Sequence, residues 1–232
     1  MNRVFIPSQS PGDWQRLLAK PDRHWKAGAS AMAAASSWET ATGIPAELKA
    51  MLDSGPAILC DLELLIAIPE WEVALPGGAT ASRTDVLAIT RNELGLVILA
   101  VEAKVNEPFG PTLAEKRREA SAGQETRLRY LHEALGLGQP LPDKIRYQLV
   151  HRAASALLTG RLFHARAAVM IVQSFSSDSR WYEDFAAFAA ALGVSPTSGS
   201  VLTVPGVPSL PLYRAWCCGD PKHLAPVVQT AV

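Results

Sequence analysis

Two consecutive apolar segments near the middle of the chain constrain its fold more than any other feature. Residues 85–90 read DVLAIT, residues 96–101 read LVILAV, and only the short stretch 91–95 separates them. So short a connection predicts a hairpin between two antiparallel strands. The unbroken apolar character of the second segment predicts that both of its faces are covered, so this strand should lie inside the sheet.

A third strand is predicted just before this hairpin. Residues 70–75 alternate between polar and apolar side chains and precede a Pro-Gly-Gly turn, so we expect a three-strand antiparallel meander. Residues 57–68 are Leu-rich, nearly continuously apolar and followed by Pro69, which favours a buried helix. Helices are also predicted at 14–19, 25–41, 45–51, 113–135, 144–159 and 181–192, and strands at 165–173, 201–204 and 212–217.

These elements predict one α/β unit with a central mixed sheet flanked by helices. Residues 1–56 should form an N-terminal helical extension that packs on a domain spanning 57–232. No internal repeat or linker-like segment divides the chain further.

Charged residues lie at the ends of the two apolar segments, in a pattern that indicates a binding or catalytic site. Glu102 and Lys104 come directly after LVILAV and share one face, because residues two apart in a strand point the same way. Burying two charges there is costly unless they pair or serve a ligand. Asp85 opens the neighbouring strand, and the meander can bring it beside Glu102. Converging carboxylates repel unless a cation neutralises them, and Mg²⁺ suits carboxylate and water ligands.

This arrangement resembles the core of the PD-(D/E)xK nuclease superfamily, the restriction-endonuclease-like fold, in an uncharacterised bacterial branch. The matching residues are Asp85 and the run Glu102-Ala103-Lys104, within a resemblance that covers about residues 57–173. Thr84 stands where the motif's name has Pro, a departure that touches no ligand. The resemblance implies Mg²⁺ or Mn²⁺ bound by Asp85, Glu102 and the main-chain carbonyl of Ala103, with Lys104 as the catalytic cation.

Two further site residues are expected from the same resemblance. Many members place a Glu on the helix before the first strand, and Glu63 is the best match, with Glu47 second. Some members carry a Gln on the helix after the motif strand, where this chain has Gln148. Lys144, Gln148 and Arg152 recur every four residues along that helix, and a solvated face is the favoured interpretation of the three.

The resemblance implies hydrolysis of phosphodiester bonds in nucleic acid, with DNA as the expected substrate. Lys+Arg and Asp+Glu each number 22, which argues against attachment to nucleic acid by bulk charge. Residues 104–166, however, carry eleven Lys/Arg against six Asp/Glu. Three alternatives stay open: a non-catalytic module that binds nucleic acid or a protein, a hydrolase of a small phosphorylated substrate, and a purely structural ion pair.

The remaining sequence features concern location and assembly. Three cysteines fit a reducing compartment, the first residues lack a signal-peptide pattern, and the longest apolar runs are too short to span a bilayer. We therefore expect a cytoplasmic protein without membrane association. A homodimer is expected if both strands of a duplex are cut.

Overall fold

A computed structural model describes Ser8 and residues 10–118, 121–207 and 210–226. Its strands are β1 (Glu63–Val73), β2 (Ser82–Asn92), β3 (Gly95–Lys104), β4 (Ala167–Ser174), β5 (Val201–Val204) and β6 (Leu212–Cys218). Its α-helices are α1 (Pro21–His24), α2 (Ser30–Thr40), α3 (Ala46–Asp53), α4 (Leu113–Arg118), α5 (Ala122–Ala134), α6 (Tyr147–Leu162) and α7 (Tyr182–Ala191). Short 3₁₀ helices span Pro11–Leu17, Ala57–Leu59 and Pro221–Leu224.

The six strands form one mixed sheet in the order β1-β2-β3-β4-β6-β5. The first three pair antiparallel, which confirms the predicted meander, and β4 then runs parallel to both β3 and β6. β5 returns antiparallel along β6. Helices cover both faces of β3, whose residues 97–104 are all buried, as its apolar sequence predicted.

Each face of the sheet has its own core because strand side chains alternate between faces. Leu87, Ile98 and Ala100 pack with α6 residues on one face, which we call the α6 face. Val86 and Val101 pack on the other face with residues of α2 and α3, and we call this the N-terminal face. The N-terminal helices thus share a hydrophobic core with the sheet.

The predicted buried helix at 57–68 is wrong. Ala57–Leu59 forms a 3₁₀ turn, and β1 begins at Glu63 and continues through Pro69. Pairing with β2 overrides the local Leu-rich signal, since short apolar runs do not distinguish a strand from a helix. Pro69 is tolerated because β1 is an edge strand.

Smaller differences concern the limits of the helices. The helix predicted at 113–135 is two helices, α4 and α5, and residues 119 and 120 between them lie outside the described residues. The helix predicted at 144–159 lies three residues later, as α6. Among the described residues, no helix is both long and apolar enough to cross a membrane.

Candidate functional site

Strand pairing brings Asp85, near the start of β2, beside the charged residues at the end of β3. Val86 pairs with Val101, so the preceding Asp85 lies beside Glu102 on the α6 face. The Ala103 N–H donates to Asp85 Oδ2 at 2.8 Å, and Lys104 Nζ donates to Glu102 Oε1 at 2.7 Å. Glu102 and Lys104 are only 3% and 5% exposed. The strand ends therefore hold a buried carboxylate–ammonium pair with a second carboxylate next to it.

Helix α6 supplies two more donors to Glu102. Gln148 Nε2 donates to Oε1 at 2.6 Å, and Arg152 Nε donates to Oε2 at 2.5 Å. The two side chains are four residues apart, so both point from the same side of the helix toward β3. Glu102 thus has both carboxylate oxygens engaged by donors of the chain itself.

The network extends from Arg152 to a serine and a histidine. Arg152 Nη1 donates to Ser82 Oγ at 2.7 Å, and Ser82 Oγ lies 2.9 Å from His151 Nδ1. The His151 ring lies against Tyr147, with 4.8 Å between the ring centroids. These contacts fix the orientation of the His151 imidazole.

Burial and neighbouring charges together shift the carboxyl pKa values in opposite directions. Burial alone would raise the pKa of Glu102, but Arg152 and Lys104 outweigh it and hold the value at about 2. Burial raises the pKa of Asp85 well above its usual range, and the carboxylates of Glu102 and Glu70 raise it further. Burial likewise raises the pKa of Glu70 to about 7, against the opposing pull of Arg83. Glu102 is therefore the firmly ionised member of this group.

An open cleft of about 790 Å³ runs past this network. Four of its lining side chains are cationic and one is acidic: Arg83, Lys104, Lys116 and Arg152 against Glu72. Gln148, His151, Tyr147 and Phe109 also line it, as do the segments 79–81 and 108–111. Clefts lined by one sign of charge concentrate ligands of the opposite sign. Its chemistry therefore suits an anionic ligand such as a phosphate group.

The structure does not bring Glu63 to this site. It lies in β1 rather than on a helix, its side chain is 64% exposed, and it pairs with Arg91. Arg91 is six positions from Asp85 along β2, which corresponds to about 20 Å. The roles of metal ligand and catalytic group that were expected for Glu63 therefore have no support from its position.

Glu47, the second choice, lies on α3 and contacts the N-terminal face instead. Its Oε1 accepts a hydrogen bond from Gln173 Nε2 at 2.9 Å, and Gln173 pairs with Ala103 across β3 and β4. Ala103 is itself fully buried within the core of the N-terminal face. The proposed role of its carbonyl as a ligand stays a prediction.

Sequence reasoning missed the parts played by Arg152 and Glu70. The spacing of Arg152 from Gln148 was visible, but the solvated-face interpretation is wrong for Arg152, which is 8% exposed. Only Lys144 of that series is exposed, and it precedes α6. Glu70 adopts a left-handed φ of 52°, uncommon outside glycine. No sequence signal marks this conformation.

The donor chemistry of the site fits a divalent cation in part. Asp85 and Glu102 offer hard carboxylate oxygens, and Ala103 N–H is the one hydrogen-bond donor to Asp85 within the described residues. Burial, and then the carboxylates of Glu102 and Glu70, raise the pKa of Asp85, and a bound cation would favour its ionised form. Over the same residues, however, no group of three His, Cys, Asp or Glu side chains is arranged to hold a metal. Glu102 would also have to release one of its present donors.

The fold and the site define an α/β protein with a buried carboxylate–cation network at the base of a basic cleft. A family model described as "Domain of unknown function (DUF6946)" matches residues 7–221, and the chain belongs to that family. No curated protein and no solved structure matches the chain.

Proposed function

We propose that this protein is a Mg²⁺- or Mn²⁺-dependent nuclease that hydrolyses phosphodiester bonds in nucleic acid, with DNA as the expected substrate. The observation that carries the proposal is the convergence of Asp85, Glu102 and Lys104 from two neighbouring strands beside a basic cleft. A cytoplasmic location and a homodimer belong to the same proposal.

The topology supports a restriction-endonuclease-like core. Helix α3 precedes the antiparallel strands β1 to β3, and helix α6 then leads into β4, which lies parallel to β3. This order resembles the core of the PD-(D/E)xK superfamily, with Asp85 on the second strand and Glu102-Ala103-Lys104 at the end of the third. The superfamily assignment is thus part of the proposal.

Each side chain of the network has a role in the proposed reaction. Asp85 and Glu102, with the Ala103 carbonyl, would hold the divalent ion, which when bound polarises a phosphate oxygen and lowers the pKa of a coordinated water. Lys104, which lines the cleft, would stabilise the negative charge that develops on phosphate. Gln148 and Arg152 hold the Glu102 carboxylate in place.

The cationic wall of the cleft would hold the phosphates on either side of the cleaved bond. Arg83 and Lys116 line it together with Lys104 and Arg152. Contacts of this kind position a nucleic acid without reading its sequence. We therefore expect binding that weakens as salt is raised.

Cleavage assays test the proposal. The wild-type protein and Lys104→Ala are incubated with linear, circular and single-stranded DNA and with RNA, in Mg²⁺, Mn²⁺ or EDTA. We expect metal-dependent cleavage that Lys104→Ala lowers about 100-fold or more. Lys144→Ala, which removes an exposed lysine near α6, is the control and should cleave as the wild type does. If no substrate is cut by well-folded wild-type protein, the nuclease proposal is wrong.

A second candidate, a non-catalytic module that binds nucleic acid through the same cleft, is favoured by one observation. Both oxygens of Glu102 are already held by Lys104, Gln148 and Arg152, so the network is satisfied without a metal. This candidate predicts oligonucleotide binding that is equally strong in EDTA and in Mn²⁺, with no cleavage in either.

A further inference from the structure

His151 is a cleft residue whose hydrogen bonds determine the tautomer of its imidazole. It lines the cleft, yet its Nδ1 is turned inward to Ser82 Oγ at 2.9 Å. The Tyr147 ring packs against it from one turn earlier on α6. One ring nitrogen is thus engaged inside the protein. The other, Nε2, has no protein partner within the described residues.

The partners of Ser82 determine which nitrogen carries the proton. Ser82 is 4% exposed, and its Oγ already accepts a hydrogen bond from Arg152 Nη1, a group that can only donate. The hydroxyl proton of Ser82 then needs an acceptor, since a buried polar group without a partner is costly. His151 Nδ1 is the acceptor within reach. His151 must therefore carry its proton on Nε2.

The surroundings of the ring also keep it neutral. Burial lowers the pKa of His151 well below its usual range, and the charges of Arg152, Arg127 and Lys104 lower it further against the pull of Glu102. Arg127 belongs to α5, where it also donates to the carbonyls of Leu75, Pro76 and Gly78. A neutral imidazole with a fixed tautomer donates one hydrogen bond in one direction.

We propose that His151 is a ligand-binding residue whose neutral Nε2–H donates to a phosphate oxygen bound in the cleft. The inference rests on the proposed nucleic-acid ligand but not on its cleavage. Arg83, Lys104 and Lys116 supply the positive charge that attracts the phosphate. Charge attraction has little directionality, whereas the fixed Nε2–H sets where one phosphate oxygen lies. His151 would therefore align the ligand relative to Asp85 and Glu102.

Nuclear magnetic resonance of the imidazole nitrogens tests the chemical state directly. Long-range ¹H–¹⁵N spectra of the wild type at neutral pH should show Nδ1 unprotonated and Nε2 protonated. Ser82→Ala removes the donor to Nδ1 and should allow both tautomers. A wild-type spectrum with the proton on Nδ1, or with a charged imidazolium, would overturn the inference.

Ligand binding tests the role. A fluorescein-labelled single-stranded oligodeoxynucleotide is titrated in EDTA with wild type, His151→Gln and His151→Asn. The amide nitrogen of Gln reaches the position of Nε2, whereas that of Asn lies near Nδ1. We expect His151→Gln to bind within about twofold of wild type and His151→Asn to bind about tenfold more weakly. Equal binding by wild type and both variants, or no binding by wild type, contradicts the inference.

The same spectra separate this inference from the nuclease proposal. Addition of the oligodeoxynucleotide, or of inorganic phosphate as a separate probe, should shift the Nε2 signal of the wild type. A shift with either probe supports the inference even if no substrate is ever cleaved. If neither probe moves the Nε2 signal, His151 does not contact phosphate, whatever the cleavage assays show.

Discussion

The two faces of the sheet each bury a polar network at the ends of β3 and β4, but the networks differ in charge. On the N-terminal face, the uncharged Gln173 donates from Nε2 to Ser37 Oγ and Glu47 Oε1 and accepts from Trp38 Nε1. On the α6 face, Glu102 is surrounded by Lys104 and Arg152, with further carboxylates nearby.

The difference between the two networks shows which buried polar groups hold the fold together and which are placed to contact a ligand. Gln173 is fully buried and has its amide satisfied by α2 and α3, so its network fastens the N-terminal helices to the sheet. Lys104 and Arg152 line a cleft, and the pKa values of neighbouring carboxyls are raised. Burial of polar groups alone does not mark a site, whereas shifted carboxyl pKa values beside a cleft point to one.

The largest expected effect comes from removing the central cation of the α6 face. Arg152→Met leaves one Glu102 oxygen without its donor and should lower the free energy of unfolding by about 4 kcal/mol. Urea unfolding followed by circular dichroism measures the change. A loss below about 1 kcal/mol would mean that Arg152 does not hold the buried carboxylate.

The next effect is a pH dependence of the unfolding free energy that comes from carboxyl groups of the α6 face. The folded-state pKa of Glu70 lies at about 7, above its ordinary value of 4.5, so the folded protein holds a proton that the unfolded chain releases. Stability from this group is complete below pH 4.5 and is lost as pH rises to 7, by about 3 kcal/mol. The raised pKa of Asp85 acts in the same direction. The pKa of Glu102 is lowered to about 2, so this group affects stability only in more acidic solution.

Glu70→Gln should therefore flatten the curve of unfolding free energy between pH 4.5 and 7. The matched control is Glu72→Gln, since Glu72 contacts the same Arg83 but is 44% exposed. It should keep the wild-type slope. Identical slopes for wild type and Glu70→Gln would show that Glu70 does not titrate in this range.

A smaller effect is expected on the N-terminal face. Gln173→Met removes three hydrogen bonds from a buried amide and should cost about 2 kcal/mol of unfolding free energy. Oligonucleotide binding should not change, because the side chain lies across the sheet from the cleft. If Gln173→Met weakened binding as strongly as it weakened folding, the distinction between the two faces would fail.

The smallest effect is expected for Glu63. Its pair with Arg91 is exposed on both sides, so Glu63→Ala should change the free energy of unfolding by less than about 0.5 kcal/mol. Cleavage, where measured, should be unaffected. A loss of cleavage comparable to that of Lys104→Ala would support the original assignment of Glu63 as a site residue.

The sequence predicted the centre of the fold better than its periphery. Strand β3 and its hairpin with β2 were evident because their apolar character and short connection leave few alternatives. The same pattern placed Asp85, Glu102 and Lys104 together. Gln148 was expected near them from the resemblance alone, and the structure places it on Glu102.

The rest depends on long-range packing. Residues 63–68, the first part of β1, resemble a helix until their partner β2 is known, whereas the strand predicted at 70–75 overlaps the rest of β1. Arg152 has the spacing of a solvated residue, and only the packing of α6 against β3 shows that it is buried. Glu70 adopts a left-handed backbone conformation that the local sequence does not encode.

The central claim is that Asp85 and Glu102 hold a divalent ion, and a thermal shift with Mn²⁺ tests it most directly. Saturating Mn²⁺ should raise the Tm of the wild type by about 5 °C or more, because a ligand that binds only the folded state stabilises it. Asp85→Asn should abolish the shift, while Glu63→Ala should retain it. No shift in the wild type, or an equal shift in Asp85→Asn, would contradict the claim and favour the binding module.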